Sequence, residues 1–97
     1  MAPESLASII DHTLLKPEAG SEQVEALCAE ANQYSVAAVC VSPSRLPLGD
    51  SWLNPGIDIC TVIGFPSGAH QAATKAAEAA LAIENGANEV DMVIDLG

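Results

Sequence analysis

The chain has 97 residues, 49% hydrophobic and 16% charged, which suits one small globular domain and is too apolar for a disordered segment. Thirteen acidic residues against three basic ones give a net charge of -10, which argues against nucleic-acid or anionic-membrane partners. No apolar run reaches the ~20 residues of a membrane helix, Met1 to Ile10 lacks signal-peptide character, and the three cysteines have no CxxC spacing, so buried thiols in a reducing cytoplasm are expected and a disulfide framework or metal site is not.

In chain order, Pro3 to Ile10 reads as a short helix and Asp11 to Leu15 as a strand closed by Lys16-Pro17. A helix opens near Ser21, the expected cap, with Glu22 at the positive end of its dipole. Val24, Leu27, Cys28 and Ala31 recur at i, i+3, i+4 and i+7 and form one apolar face. The continuous apolar run Val36 to Val41 suits a strand buried on both sides, ended by Ser42-Pro43. Ser44 to Leu53 is irregular or briefly helical, broken near Pro47 and Gly49, and Asn54-Pro55-Gly56 is a turn. Ile57 to Ile63 is a third strand and Gly64 to Gly68 a loop. His70 to Asn85 is an Ala-rich helix with Asn85-Gly86 as its left-handed end, and Glu89 to Ile94 is a fourth strand.

This alternation predicts a single α/β domain with a parallel sheet, either an open doubly wound sheet or part of a (β/α)₈ barrel. Strand alternation separates the residues into faces. Val90, Met92 and Ile94 suit packing against helices, so Asp91 should point the other way, with Val93 and Asp95. The same alternation groups Asp11 with Thr13, and Ala38 with Cys40 and Ser42. If these faces converge, the interior holds two carboxylates, a hydroxyl, a thiol and small residues. Such a wet cavity fits a barrel, whose active sites lie at the C-terminal ends of the strands. An isolated carboxylate inside an apolar strand costs several kcal/mol unless it is paired or faces such a cavity.

Other residues invite sharper readings that the sequence does not favour. Lys16 follows the first strand on the catalytic rim but reads as a solvated lysine, and Lys75 reads as a surface charge on the Ala-rich helix. His12 and His70 have no ligand spacing. Gly64-Phe65-Pro66-Ser67-Gly68 precedes a helix and could cradle a phosphate, but it lacks nucleotide-loop spacing and reads as a turn needing glycine conformations.

Four blocks carry a resemblance: Asp11-His12-Thr13-Leu14-Leu15-Lys16-Pro17, Ala37-Ala38-Val39-Cys40-Val41-Ser42-Pro43, Thr61-Val62-Ile63-Gly64-Phe65-Pro66-Ser67-Gly68 and Glu89-Val90-Asp91-Met92-Val93-Ile94. In this order and spacing they resemble the N-terminal part of deoxyribose-phosphate aldolase. The resemblance implies a TIM barrel and a class I, Schiff-base aldolase that uses no cofactor or metal. It implies cleavage of 2-deoxyribose 5-phosphate, a phosphorylated sugar, to glyceraldehyde 3-phosphate and acetaldehyde. Asp91 resembles the family's acid/base aspartate, Asp11 and Thr13 resemble residues lining the substrate cavity, and Cys40 resembles a cysteine near the substrate. In the family, the nucleophilic lysine, its partner lysine and the phosphate loops lie beyond the fourth strand. A full barrel takes about 250 residues, so residues 1–97 are expected to form a four-stranded half-barrel that is inactive alone and self-associates through open sheet edges. The alternatives are a non-catalytic self-associating half-barrel and a flavodoxin-like module for a small phosphorylated ligand.

Overall fold

The computed structural model describes residues 6–97. Four strands, β1 (Asp11–Leu14), β2 (Ala38–Val41), β3 (Asp58–Ile63) and β4 (Glu89–Met92), alternate with two helices, α1 (Ser21–Tyr34) and α2 (Ala72–Glu84). All adjacent strands pair in parallel, and their spatial order is their sequence order. Much of the helix expected from Pro3 to Ile10 lies outside the described residues; Leu6 and Ala7 are helical, and the chain then turns into β1.

Both helices cover the same face. Val24, Leu27 and Ala31 of α1 pack with Val36, Val39 and Val41 in one core cluster, joined by Leu14. Ala82 of α2 packs with Ile63, Ala87, Ala79 and Val90 in another. Register puts Leu14, Val41, Thr61 and Val90 side by side, and Ile63 shares their parity along β3. Helices on one face of a sequentially ordered sheet are the winding of a barrel. A doubly wound sheet has a reversal of strand order and helices on both faces, so the flavodoxin-like alternative does not describe this chain. The α/β sheet is a four-stranded parallel segment of the TIM-barrel type, with β1 and β4 at its edges.

The elements form where the residue pattern requires. The four periodic positions of α1 (Val24, Leu27, Cys28 and Ala31) are its four buried residues. Its cap is Gly20 rather than Ser21: Gln23 Oε1 reaches back to accept from the Gly20 N–H, so Ser21 sits inside the first turn. β2 is buried at every position. The irregular stretch after it contains one 3₁₀ turn, Pro43–Arg45. α2 begins at Ala72, two residues later than the sequence suggests, and ends at Asn85-Gly86 with Gly86 at φ +102°.

One residue is misjudged by the sequence reading. Lys75 is not a surface charge; it is buried, and its Nζ donates to the Val93 carbonyl at 2.9 Å. Its aliphatic stem lies over Gly64, where a Cβ would stand 3.1 Å from the lysine Cε. One helical turn on, Glu78 Oε1 accepts from the Gly64 N–H at 2.8 Å. α2 therefore grips the ends of β3 and β4 through two polar side chains as well as through alanine packing. Gly64 and Gly68 both adopt positive φ, and Gly68 donates to the Gly64 carbonyl at 2.7 Å, so this loop is a tight turn that uses its glycines conformationally.

Candidate active site on the inner face of the sheet

The face turned away from the helices carries the polar residues. Lateral pairing arranges them in layers. Asp11, Ala38 and Asp58 form the first; Thr13, Cys40, Cys60 and Glu89 form the second; Val62 and Asp91 form the third, nearest the C-terminal ends of the strands. Asp11, Thr13, Cys40 and Asp91, the four residues singled out from the sequence, thus share one face. The cysteines form its floor with Ala38 and Val62, while Asp11, Thr13, Glu89 and Asp91 are exposed.

One grouping joins Asp91 to both thiols: a carboxylate oxygen of Asp91 and the Sγ atoms of Cys40 and Cys60 lie within 4.8 Å of one another. Carboxylate oxygens of Asp11 and Glu89 form a second group with the Cys60 Sγ, within the same limit. Thr13 is less committed to the cavity, since its hydroxyl donates to the Asp11 carbonyl at 3.0 Å. The local charge is one-sided. Among the described residues the ion-pair contact is between His12 and Glu30 at 3.2 Å, on the helix side of the sheet, and neither Lys nor Arg pairs with an inner-face carboxylate.

These surroundings displace the titrations. Burial pushes the Cys60 thiol far up, with the neighbouring Cys40 and Asp91 adding to the effect. Cys40 is raised as well, by burial first, against a lowering contact from Cys60 and with added repulsion from Asp91, Asp11 and Glu89. Both thiols are therefore protonated, poor nucleophiles near neutral pH. Desolvation, then the charges of Asp11, Asp58 and Asp91, hold the Glu89 carboxyl above the usual carboxylate range.

At the C-terminal ends of β1, β2 and β3 a cleft of about 500 Å³ opens between Leu15, Ser42, Ser44, Val62, Phe65 and Glu78. Val62 lines this cleft and is the lateral partner of Asp91, so the carboxylate stands beside its floor. A cleft here, next to a carboxylate with free solvent access, can seat a small polar molecule and exchange protons with it. Asp58, Cys60 and Glu89 are the polar inner-face residues that sequence reasoning missed. Alternation along β3 and β4 marks all three, but only the lateral fold shows that they stand beside Ala38, Cys40 and Asp11.

Comparison with known proteins gives this geometry a context. Residues 6–96 match the family model described as DeoC/LacD family aldolase. The chain is similar to a deoxyribose-phosphate aldolase of Halalkalibacterium halodurans, 53% identical over 95 residues that cover 96% of this chain and 42% of that protein. It is similar to that of Lysinibacillus sphaericus at 55% identity, covering 97% of this chain and 43% of the relative. Among solved structures, a tetrameric deoxyribose phosphate aldolase of Aeropyrum pernix superposes with a TM-score of 0.85 at 38% identity, over 98% of this chain and 41% of that one. The chain spans about two fifths of the length of these relatives. With the family match running from the first described residue almost to the last, and a barrel-type sheet beneath it, the chain belongs to the DeoC/LacD aldolase family.

Proposed function

We propose that this chain is the N-terminal half-barrel of a class I aldolase of the deoxyribose-phosphate type, cleaving 2-deoxyribose 5-phosphate to glyceraldehyde 3-phosphate and acetaldehyde in the full-length protein. The observation that carries this reading is the position of Asp91: exposed, on the inner face, beside the cleft at the C-terminal strand ends. Schiff-base cleavage needs a group that moves protons as the carbinolamine forms and loses water, and again as the enamine is protonated; such a group works within about 3 Å of the reacting atoms or through one water. Asp91 fills that role, holding and returning a proton through water. Asp11 and Thr13 line the polar wall, and Cys40 forms the floor without taking part in bond making, in keeping with its protonated thiol.

The nucleophile is a separate matter. Of the three basic residues, Lys75 is buried with its Nζ on the Val93 carbonyl, and Lys16 and Arg45 follow the ends of β1 and β2. None stands on the inner face within the strands. On this reading, and as the family resemblance implies, the reactive lysine and the phosphate-binding loops are supplied by sequence beyond these four strands, and residues 1–97 alone do not turn over substrate.

In the full-length protein, Asp91→Asn should lower kcat at least ~10²-fold, the scale of a lost general acid–base group, while a lysine–substrate adduct still forms and is trapped by borohydride. Unchanged turnover would remove Asp91 from the proton relay. A borohydride-trapped acetaldehyde adduct on residues 1–97 alone would show instead that Lys16 serves as the amine.

A further inference from the structure

We propose that Lys75 is a positioning residue for the aldol site: by holding the end of β4 it fixes the Asp91 carboxylate beside the cleft. The inference rests on the reading of Asp91 as the proton relay. Val93, two residues past Asp91, donates its N–H to the Ile63 carbonyl at 2.9 Å. A residue in a parallel strand turns its N–H and C=O toward the same neighbour, so the Val93 carbonyl also faces β3. Register pairs Met92 with Ile63, which makes the Phe65 N–H the ladder's next donor toward that carbonyl. β3 ends at Ile63, however, and the chain turns away at Gly64, φ +67°. Lys75 Nζ takes the carbonyl instead, at 2.9 Å. The lysine stands in for a rung that the sheet lacks.

The anchor is itself fixed to the site. One turn along α2, Glu78 Oε1 accepts from the Gly64 N–H at 2.8 Å, so the helix that carries Lys75 is tied to the end of β3. Lys75 is buried, and its stem lies so close to Gly64 that a Cβ there would stand 3.1 Å from the lysine Cε, which restricts where the side chain can go. Beyond Val93, the Gly68 backbone approaches the Ile94 carbonyl until an added Cβ would meet its oxygen at 2.2 Å. β4 is therefore held at two consecutive residues just past Asp91. All these contacts lie between α2, β3 and β4, and both polar groups of Val93 face β3, so strands beyond β4 complete the barrel without competing for them. Asp91 stands in β4 opposite Val62, which lines the cleft. A group that relays protons must be held within about 0.5 Å of its working position, and a displacement of about 1 Å can cost ~10²-fold in rate. Releasing the Val93 carbonyl loosens the strand end on which that position depends.

The test is a set of kinetic constants in the full-length protein. Lys75→Met keeps most of the stem and removes the donor. Its kcat should fall about 10-fold with KM changed less than about 3-fold, because a displaced relay slows proton transfer without removing a substrate contact. Lys75→Arg restores a donor and should recover kcat to within about 3-fold of the unaltered protein. The decisive measurement is a double-variant cycle. Once Asp91→Asn has lowered kcat, adding Lys75→Met should change it by less than about 2-fold, since a residue that acts through the carboxylate has nothing left to position. Val24→Ala truncates the core cluster that packs against β2, away from β4, and should leave kcat unaltered below its melting midpoint; a lysine that served stability alone would behave the same way. If Lys75→Met does not fold, Lys75→Gln, whose side chain is too short for the Val93 carbonyl, takes its place in the cycle with the same expectation. Unchanged kcat in the lysine variant alongside a lowered kcat in Asp91→Asn, or an equal loss from the lysine variant in both backgrounds, would overturn the positioning role and leave Asp91 as the relay. Full turnover by Asp91→Asn would instead remove the relay, and the positioning role with it.

Discussion

The two faces of this sheet are built from the same strands and obey opposite rules. On the helix side Val39, Val41 and Ile63 are fully buried against α1 and α2, and the one polar side chain among them, Thr61, donates to the Val41 carbonyl at 2.6 Å. On the inner side Ala38, Cys40 and Cys60 are small, and the next positions outward are carboxylates. Large aliphatic residues exclude water and supply cohesion. Small residues leave space, and charged ones keep it wet. A single period-2 alternation therefore gives one face to stability and the other to chemistry.

The sharpest way to break this contrast is to shorten neighbouring residues of β3. Ile63→Ala removes a fully buried side chain from the cluster with Ala82 and Ala87 and should destabilise the fold by ~2–5 kcal/mol. Val62→Ala, one residue away on the cleft side, should cost only ~1–2 kcal/mol, because the lost methyl groups border an open cleft instead of leaving a sealed void. Chemical denaturation of both variants reads the difference. Equal losses would mean that the inner face is as cohesive as the outer.

Lys75 crosses the division. It is a charged residue on the apolar side, with its stem against Gly64 and its Nζ on the Val93 carbonyl, two residues past Asp91. Lys75→Met keeps most of the stem and removes the donor. It should cost ~1–3 kcal/mol, the range for a part-buried acceptor left unpaired. Amide hydrogen exchange should report the loss at the Val93 N–H, which donates to the Ile63 carbonyl at 2.9 Å and closes the β3–β4 ladder at that end. Slower or unaltered exchange there would mean that the lysine packs without holding β4.

Much of this was legible from sequence because it depends on local periods. Val24, Leu27, Cys28 and Ala31 at helical spacing are the buried face of α1, and alternation grouped Asp11 with Thr13, Cys40 with Ala38, and turned Asp91 from the helices, faces that the lateral register joins into one. The parts that were not legible depend on partners distant in sequence. Cys60 meets Cys40 only through lateral register, across a sequence separation of 20 residues. Lys75 looks like any solvated lysine in an Ala-rich helix until the tertiary fold brings the Val93 carbonyl to its amine. Met92 and Ile94 have the parity of helix-facing residues but are 50% and 69% exposed, lining a groove beside the first turn of α2 with His70, Ala72 and Ala76. Parity assigns a face; it does not supply the element that covers it.

The smallest expected effect isolates the electrostatic half of the contrast. Glu89 is exposed, yet desolvation and then Asp11, Asp58 and Asp91 hold its carboxyl above the ordinary range. Between its unfolded and its folded titration the native chain binds the extra proton, so stability rises as pH falls through that window and is lost as pH rises past the folded value. Glu89→Gln removes both the titration and one of the clustered charges. Its denaturation midpoint should exceed that of the unaltered chain at neutral pH, and the difference should shrink as pH approaches the ordinary carboxylate range. Added salt should shrink it too, because exposed charges are screened. A midpoint difference independent of pH and salt would place the effect in packing, and the inner face would then owe nothing to crowded negative charge at that position.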